Sequence, residues 1–566
     1  MQDTPERATP DEPRSGADLF FQAALRYGYQ YVFGNPGTTE AAFMDALVRY
    51  PDLRFILCLH ENVATGAADG VARLTGRPAL VNLHLAPGLS NGLANIHNAR
   101  RARVPMVVTV GQHDTRHLLE DSPLHGDIEG ISRGVCKWIW TVQDAGELAA
   151  ALHRATMLAM QPPQGPVCLI LPTNILTALP RTPAGAIPSI PALQLPERGP
   201  ASAGSIARAA EMLRAARHPV ILIGDTTPAG LEHIRTLATL SGAQLIHDTF
   251  PRRVDGRTPG STRLPYFPAQ RRQVLSEADV LFLVGVGGFT TLFLYANDPA
   301  PIIAATTQVI HLDDEADELG KNARDSLPLY GDIPASLALL VSALQERLPE
   351  TGQEKIDAAH TARASQPPAQ TPAETDLLGM VMRTVNRFLP EGAILVDEAI
   401  TSGPTVVTEL LDAGNAVHTH LTSRGGALGA ALPLSIGAQL GAPGRQVVAV
   451  VGDGSAMYAI QALWSTAHYK LPILTIICNN GSYDIIKLEI LRLQATLARE
   501  ERTALNAVAG FDEPRIDFAH LAQGLGVHSW SVREMADIEP AVKAALETCS
   551  SGSPALIDVH IQSHFM

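Results

Sequence analysis

The stretch of sequence that decides the fold is Val447-Val-Ala-Val-Val-Gly452-Asp453-Gly454-Ser455-Ala456, and a second apolar run beyond it ends in Asn479-Asn480-Gly481-Ser482-Tyr483. Both runs are continuous and rich in β-branched residues, a pattern typical of strands that are buried on both faces of a sheet. The helical pattern between them indicates a crossover connection, so the two strands are predicted to be parallel. Their carboxyl ends should lie at one edge of the sheet, where ligands bind in this architecture.

A carboxylate and an amide at two neighbouring strand ends predict a site for a hard cation. We expect Asp453, Asn480 and the backbone carbonyl of Ser482 to be oxygen ligands of Mg²⁺, which takes its other ligands from water and phosphates. Glycines such as Gly454 allow close approach of the backbone, whose free amides would hold a diphosphate. Gly-Asp-Gly alone is as often a tight turn, and the Asn-Asn pair at the next strand end favours the metal site.

The alternation of apolar runs and helical patterns continues along the whole chain. It predicts an α/β protein with three doubly wound parallel-sheet domains. The predicted strands are 30–33, 54–59, 79–83, 105–110 and 167–171 in the first domain, 219–223, 279–284 and 308–312 in the second, and 393–396, 446–451, 472–477 and 555–559 in the third.

Two stretches of unusual composition separate these domains. Six prolines lie between Pro180 and Pro200, and proline stiffens a segment and removes backbone donors, which suits a surface linker at 181–200. Residues 349–375 are polar and rich in Ala, Gln and Pro, and form the second predicted linker. The predicted organisation is therefore a flexible N-terminus (1–16), a first domain (17–180), a middle domain (201–348) and a third domain (376–566).

The composition excludes several classes of protein. Of the 566 residues, 46% are hydrophobic and 18% are charged, so the chain is neither disordered nor fibrous. A net charge of −14 and 5% aromatic residues argue against binding to nucleic acid or to an anionic membrane. Five scattered cysteines, no apolar signal core and no apolar run of membrane-spanning length predict a cytoplasmic protein with buried free thiols.

The pairing of Gly452-Asp453-Gly454 with Asn479-Asn480 resembles the cofactor motif of the thiamine diphosphate (ThDP)-dependent decarboxylase and acetolactate synthase family. The resemblance extends from about Asp18 to the end of the chain. It implies a ThDP-binding fold made of a pyrimidine-binding, a middle and a diphosphate-binding domain, in that order. It also implies ThDP and Mg²⁺ as cofactors, and a dimer or tetramer that holds the cofactor between the first domain of one subunit and the third of another.

Glu61 follows the second predicted strand, where the family has the acid that contacts N1′ of the cofactor's aminopyrimidine. A carboxyl group at the start of an Ala- and Gly-rich helix, facing an apolar site, can share a proton with a ring nitrogen. The alternative for Glu61 taken alone is an ordinary acid at a helix N-terminus.

The remaining cofactor contacts come from three segments of the third domain. Ser423-Arg-Gly-Gly426-Ala-Leu428 is similar to the segment that clasps the pyrimidine, where Leu428 would wedge the cofactor into its bent shape and Gly426 would offer a carbonyl to N4′. Asp397-Glu-Ala-Ile-Thr401-Ser402 is similar to a loop that contacts the diphosphate, although Thr401 and Ser402 are also suited to capping a helix. The resemblance further assigns Gly454, Ser455 and Tyr483 to the cofactor site.

Three residues of the first domain are expected to act on the substrate. Phe33-Gly-Asn-Pro-Gly37-Thr38-Thr-Glu40 resembles benzoylformate decarboxylases, where Thr38 would replace a substrate-binding serine. Val81-Asn-Leu-His84-Leu-Ala-Pro-Gly88 is also similar to them, and His84 falls on their catalytic histidine. A histidine at a strand end can shuttle protons near neutral pH, while the alternative is a structural, hydrogen-bonded histidine. Gly111-Gln112 resembles acetolactate synthases and adds Gln112 to the catalytic candidates.

Two departures from these relatives keep the reaction open. Residues 287–295 contain no histidine, although benzoylformate decarboxylases have a second catalytic histidine there. The segment that acetolactate synthases use near FAD is not visible, so FAD is not expected. The resemblance implies cleavage of the C1–C2 bond of a small 2-oxo acid, with release of CO2 through an enamine intermediate. The hypotheses are a non-oxidative decarboxylase with or without carboligation, an acetolactate synthase-like carboligase, and a non-catalytic binding subunit.

Overall fold

The computed structural model describes residues 12–182, 185–256, 258, 261–290, 300–323, 325–346, 376–414, 416–496 and 505–563. It confirms the predicted fold class, because the strands form three separate sheets whose order is that of doubly wound domains. The N-terminus up to residue 11 and the predicted linker at 349–375 lie outside the described residues. The domain boundaries remain predictions.

The first sheet has six parallel strands in the order β2-β1-β3-β4-β6-β5. Its strands are β1 Tyr31–Asn35, β2 Arg54–Leu57, β3 Ala79–Leu83, β4 Met106–Gln112, β5 Ile139–Thr141 and β6 Pro166–Pro172. Its helices are α1 Gly16–Arg26, α2 Ala41–Leu47, α3 Glu61–Thr75, α4 Leu85–Arg101, α5 Ile128–Ser132, α6 Leu148–Met160 and α7 Thr173–Thr177. Val81 and Val108 belong to one apolar cluster, and Leu80 and Val107 to another, so both faces of the sheet are buried.

The second sheet also has six parallel strands, in the order β10-β8-β7-β11-β12-β13. The strands of this part of the chain are β7 Pro219–Ile223, β8 Gln244–His247, β9 Arg253–Asp255, β10 Thr262–Arg263, β11 Val280–Val284, β12 Gln308–Asp313 and β13 Leu327–Tyr330. Its helices are α8 Ala203–Ala215, α9 Pro228–Ser241, α10 Pro268–Leu275 and α11 Ile333–Gln345.

The third sheet has seven strands in the order β18-β19-β17-β16-β14-β15-β9. Its strands are β14 Ala393–Glu398, β15 Val417–Thr422, β16 Val447–Gly452, β17 Ile473–Asn479, β18 His528–Val532 and β19 Ala555–His560. Its helices are α12 Leu377–Phe388, α13 Gly403–Val407, α14 Ala431–Gly441, α15 Asp453–Ala456, α16 Ala462–His468, α17 Asp484–Thr496, α18 Leu505–Ala509, α19 Phe518–Gly524 and α20 Met535–Ser550. Short helices of other types span Thr38–Glu40, Thr115–Glu120, Ala145–Glu147, Ala316–Glu318, Ile400–Ser402 and Thr408–Asp412.

Strand β9 joins the middle of the chain to the third sheet. It belongs to the predicted middle domain but pairs in antiparallel fashion with β15, with Val254 opposite His420. The middle and third domains therefore share a sheet edge, which the sequence did not predict.

Helices α3 and α14 bring the first and third domains of the chain into backbone contact. A Cβ added at Gly70 would lie 2.2 Å from the carbonyl oxygen of Leu434, and one at Gly437 would lie 2.0 Å from that of Ala67. Only glycine permits an approach this close. The crossing fixes the start of α3, which is Glu61, relative to the loop that precedes α14.

The five cysteines are free and buried, as the sequence predicted. Within the described residues, every helix falls short of the length and apolar character that a membrane crossing requires.

Candidate active site

The carboxylate of Asp453 lies where β16 ends and α15 begins, and it is buried. Its Oδ1 accepts a hydrogen bond from the N–H of Gly454, and its Oδ2 accepts one from the N–H of Gly481, each at 2.7 Å. Because Gly481 follows β17, the second bond joins the carboxyl ends of the two neighbouring parallel strands. The predicted pairing of these two strand ends is confirmed.

The other two predicted metal ligands lie in the turn after β17. Asn480 and Ser482 are buried, and the side-chain Oδ1 of Asn480 accepts a hydrogen bond from the N–H of Ser482 at 3.0 Å. Gly481 between them has φ +64°, a left-handed conformation that favours glycine. The turn therefore holds the amide next to the carboxylate.

The residues around Asp453 fit a hard cation and a diphosphate. Burial raises the pKa of Asp453 to about 6, although the N–H groups of Gly454 and Gly481 act in the opposite direction. A bound divalent cation would offset that desolvation, and a carboxylate with an amide and a carbonyl oxygen is a donor set that suits Mg²⁺. A Cβ at Gly454 would lie 2.3 Å from the ring of Tyr483, so this ring packs directly on the glycine. Ser455 is buried beside it.

Glu398 organises the loop of residues 423–430, which we call the clasp loop. This side chain is 3% exposed at the end of β14, and burial raises its pKa to about 7. Its Oε1 accepts from the N–H of Gly429 at 2.9 Å, and its Oε2 accepts from the N–H groups of Ala430 and Ala431 at 3.0 and 2.7 Å. The carboxylate therefore satisfies free amides at the entrance to α14. The sequence places Glu398 in the predicted diphosphate loop but indicates no role for it.

The clasp loop is also tied to the first domain of the same chain. The side chain of Asn98 in α4 donates to the carbonyl of Ala427 at 2.9 Å and accepts from the N–H of the same residue at 3.0 Å. Gly426 has φ +79° and is exposed, and Leu428 is half-buried. Their proposed contacts with the pyrimidine remain predictions.

Thr401 and Ser402 lie in the short helix that follows β14. Ser402 is buried and stands at the N-cap position of α13, but its side chain makes no capping hydrogen bond. The preceding Ile400 has φ +48°, a sparsely populated conformation for a β-branched residue. Such strain is typical of ligand-binding loops, and the hydroxyl of Ser402 is not used for capping.

Glu61 begins α3, whose N-cap is His60. Its side chain is 7% exposed; the Asn91 amide donates to Oε2 at 3.1 Å and the Asn35 amide donates to Oε1 at 3.4 Å. Gly88 of α4 faces it, and a Cβ there would lie 3.5 Å from Oε1. A buried carboxyl group with space kept beside it fits the ring nitrogen of an aminopyrimidine.

His84, directly after β3, is hydrogen-bonded to a buried carboxylate, a contact that the sequence did not predict. Its Nδ1 lies 2.7 Å from Oε2 of Glu40 and 3.1 Å from the hydroxyl of Thr39. The side chain of Glu40 is 1% exposed and also accepts from the N–H of Gly37 at 2.8 Å. Because an ionised carboxylate only accepts, Nδ1 of His84 carries the proton, and Nε2 is left as the acceptor of the neutral ring.

Two glycines keep room for this pair. A Cβ at Gly111 would lie 1.7 Å from Oε1 of Glu40, and one at Gly37 would lie 2.3 Å from Nδ1 of His84. Glu40 ends the Thr38-Thr-Glu40 segment at the same sheet edge as His84, but nothing in that segment indicates the histidine as its partner.

Thr38 and Gln112, the two other catalytic candidates, differ in their surroundings. Thr38 is exposed, and the neighbouring Thr39 is the residue whose hydroxyl reaches His84. Gln112 is 8% exposed, and its side-chain oxygen accepts from the N–H of His113 at 2.8 Å. The substrate roles of Thr38 and Gln112 remain predictions.

The hydrogen bonds of the site residues fall into two groups, which we call the Glu61 half-site and the Asp453 half-site. The side chains that bond Glu61 and His84 come from the first domain, whereas the amides that bond Asp453 and Glu398 come from the third.

Three family models match the chain in the same order as the three sheets. They are the thiamine pyrophosphate enzyme N-terminal TPP binding domain over residues 14–131, the central domain over residues 206–340 and the C-terminal TPP binding domain over residues 404–559. Glu61 and His84 lie in the first of these ranges, and the Asp453–Asn480 pair lies in the last.

Similar proteins cover almost the whole chain. "Putative acetolactate synthase large subunit IlvX" of Mycobacterium tuberculosis is 34% identical over 97% of this chain and 99% of its own length. Benzoylformate decarboxylase of Pseudomonas aeruginosa is 30% identical over 96% of this chain and 98% of its own. Among solved structures, the thiamine diphosphate-dependent 4-hydroxybenzoylformate decarboxylase of Rhodococcus jostii RHA1 is 26% identical and covers 98% of this chain and 100% of its own, with a TM-score of 0.82. This chain therefore belongs to the thiamine pyrophosphate enzyme family and is a ThDP-dependent enzyme of the decarboxylase and acetolactate synthase group.

Proposed function

We propose that this protein is a Mg²⁺- and ThDP-dependent 2-oxo acid decarboxylase that releases CO2 without oxidation. The observation that carries the proposal is the hydrogen bond between Nδ1 of His84 and the buried carboxylate of Glu40, at the same sheet edge as Glu61. A histidine oriented by a buried carboxylate is suited to handling a proton on a substrate. ThDP, when bound, supplies the carbanion and electron sink that C1–C2 cleavage of a 2-oxo acid needs.

The residues of the chain have two tasks, which are to hold the metal ion and to handle protons. Asp453, Asn480 and the carbonyl of Ser482 would hold Mg²⁺. Glu61 would hold a proton at N1′ of the pyrimidine ring, while Nε2 of His84 would exchange protons with the substrate. FAD has no part in this proposal.

A second copy of the chain would complete each site. Three apolar side chains near Asp453 are between 41% and 54% exposed, namely Met457, Tyr458 and Ile486. Leu59, two residues before Glu61, is 44% exposed. Apolar side chains around both half-sites fit a self-associating surface. The proposed assembly is a cytoplasmic dimer or tetramer in which the first domain of one copy faces the third domain of another.

Coexpression of two inactive variants tests this assembly. A mixed dimer of Glu61→Gln and Asp453→Ala chains would contain one site with both changes and one site with neither. Random pairing should therefore restore about a quarter of wild-type activity. The control is each variant alone, and sites formed within single chains would give no restoration.

Carboligation in the manner of an acetolactate synthase is the second candidate. Residues 287–295 contain no histidine, so the reacting carbon has one proton donor fewer than in a benzoylformate decarboxylase. Slower protonation favours attack on a second carbonyl compound, either an aldehyde or another 2-oxo acid.

A substrate panel separates the two candidates. The holoenzyme is incubated with aliphatic and aromatic 2-oxo acids, with and without an added aldehyde, and both CO2 and product identity are followed. Aldehyde as the main product supports the decarboxylase, and a hydroxyketone or an acetohydroxy acid supports the carboligase. Release of CO2 by wild type that equals release by Glu61→Gln across the panel would contradict both.

A further inference from the structure

A small cavity lies between the edge of the second sheet and strand β15 of the third. Its volume is about 50 Å³, and neither Glu61 nor Asp453 lines it. Its polar wall contains His247, Arg263 and His420, and its apolar wall contains Val254 and Val417. We call this space the interdomain cavity.

Three strands position the polar wall. His247 ends β8, and Arg263 ends β10 as its partner in the parallel register, so the two side chains leave the same face of the sheet. His420 comes from the third domain, on β15, where it is paired with Val254 of β9. The cavity therefore lies where the two domains meet.

Buried nitrogen atoms of this wall have no hydrogen-bond partner within the part of the chain that the structure describes. They are Nε and Nη1 of Arg263, Nδ1 of His247 and both ring nitrogens of His420. His247 is 4% exposed and His420 is 2% exposed. Nε2 of His420 is 3.7 Å from Asp397, which is too long for a hydrogen bond. The carboxylates of Asp412, Asp397 and Asp248 act on the charge of Arg263 from a distance. Buried donors without an acceptor are nevertheless costly, so the arrangement calls for a ligand that accepts from them.

The chemistry of the wall selects the class of ligand. Burial lowers the pKa values of His247 and His420, so both rings are neutral at pH 7 and each offers one N–H donor. The fixed positive charge belongs to Arg263. Among the described residues that line the cavity, Asp412 is the one carboxylate, and it is exposed at the rim together with His418.

A metal ion does not fit, and a lone water does not fill the space. The described ranges hold no group of three His, Cys, Asp or Glu side chains arranged for a metal, and the guanidinium would repel a cation. One water needs roughly 10–15 Å³ of such volume, which is well below the volume of this cavity. Nε2 of His247 is hydrogen-bonded to the hydroxyl of Thr258, which lies 2.9 Å from that of Ser261. When Nε2 accepts from Thr258 and Thr258 accepts from Ser261, Nδ1–H of His247 is the donor that remains for the cavity.

We propose that the interdomain cavity binds one small oxyanion, with its charge on Arg263 and its oxygens accepting hydrogen bonds from His247 and His420. The anion joins the middle domain to β15, and β15 leads directly into the clasp loop. The same recognition chemistry serves inorganic phosphate and the carboxylate of a small organic acid. The site is independent of the reaction that the enzyme catalyses.

Titration calorimetry of the holoenzyme with inorganic phosphate tests the proposal, because saturating ThDP and Mg²⁺ block the diphosphate site. Wild type should bind one phosphate per chain. Arg263→Gln should weaken this binding by about tenfold or more, as expected for loss of a hydrogen-bonded charge. Arg208→Gln is the matched control, because Arg208 is an exposed arginine of α8 that lies outside the cavity lining, and it should change the affinity less than about twofold. Equal affinity in all three proteins would overturn the proposal.

Crystals of wild-type holoenzyme soaked in selenate provide a test that does not depend on how a variant folds. An anomalous peak within hydrogen-bond distance of Arg263 supports the site, and ordered water alone in the cavity overturns it.

Acetate replaces phosphate in a parallel titration. Binding of acetate without binding of phosphate would support the oxyanion site and assign it to a carboxylate.

Discussion

Replacing Glu40 with glutamine tests whether the charge of this buried carboxylate prepares His84 for proton transfer. The amide oxygen of glutamine can still accept from the N–H of Gly37 and from Nδ1–H of His84. Its NH2 group can donate to the hydroxyl of Thr39, because a hydroxyl accepts as well as donates. The variant therefore keeps the hydrogen-bond geometry and removes one negative charge from a contact of 2.7 Å.

The size of the effect follows from the burial of the pair. Two unit charges about 4 Å apart interact by about 4 kcal/mol at an effective dielectric constant of 20. The side chain of His84 is 19% exposed, so solvent screens part of this interaction. A hydrogen bond to a charged group contributes about 1.5–3 kcal/mol in proteins. A loss of about 2 kcal/mol corresponds to a roughly 30-fold lower rate for any step that needs a protonated ring.

Two measurements separate this role from cofactor activation. Turnover of the best 2-oxo acid should fall about 30-fold in Glu40→Gln, while hydrogen–deuterium exchange at C2 of bound ThDP, followed by NMR after acid quench, stays near wild type. His84→Ala should give the same pattern with a larger loss of turnover. Asp45→Asn, an exposed carboxylate in α2, is the matched control and should retain wild-type turnover. Turnover of Glu40→Gln within about threefold of wild type, or exchange that falls in parallel with turnover, would refute the reasoning.

Three further predictions concern the cofactor site. Asp453→Ala should abolish ThDP binding in calorimetry with Mg²⁺ present, because the site loses its carboxylate ligand; undiminished affinity would contradict the metal assignment. Glu61→Gln should lower turnover by about 10²–10⁴-fold while calorimetry shows ThDP affinity close to wild type, and a rate within about threefold of wild type would show that Glu61 is not the activator. Burial raises the pKa of Glu398 to about 7, so the native state keeps a proton that the unfolded state releases above pH ~4.5. The free energy of unfolding should therefore decrease as the pH rises from about 4.5 to about 7. Urea denaturation at pH 5 and pH 7 should show a smaller difference for Glu398→Gln than for wild type, and an equal difference would remove Glu398 as the source.

The sequence predicted the central strands of the three sheets well. Strands β3 and β7 match the predicted ranges 79–83 and 219–223, because a strand that is buried on both faces is a continuous apolar run. The strands that were not predicted lie at or next to a sheet edge: β5, β8, β9, β10, β13, β15 and β18. An edge strand is short and partly solvated, so its sequence has no continuous apolar pattern. Strand β9 was still harder to predict, since the strand with which it pairs, β15, lies in another domain.

The candidate site was predictable where adjacent strand ends carry recognisable residues, as at Asp453 and Asn480. Glu40 and Glu398 were missed for a common physical reason. Each is a carboxylate that bonds to groups of another segment, namely His84 for Glu40 and the amides of 429–431 for Glu398. Such long-range partners leave no local pattern in the sequence.

The backbones of α3 and α14 touch at Gly70 and Gly437, so the first and third domains of one chain should move as a single rigid body. In the proposed dimer, this body would supply the Glu61 half of one site and the Asp453 half of the other. A rotation of this body that widens one site would therefore also move the half that the body supplies to the second site. Loading and release of the two cofactors would therefore be correlated, and cooperativity in ThDP binding would come from rigidity within a chain rather than from a flexible relay between subunits.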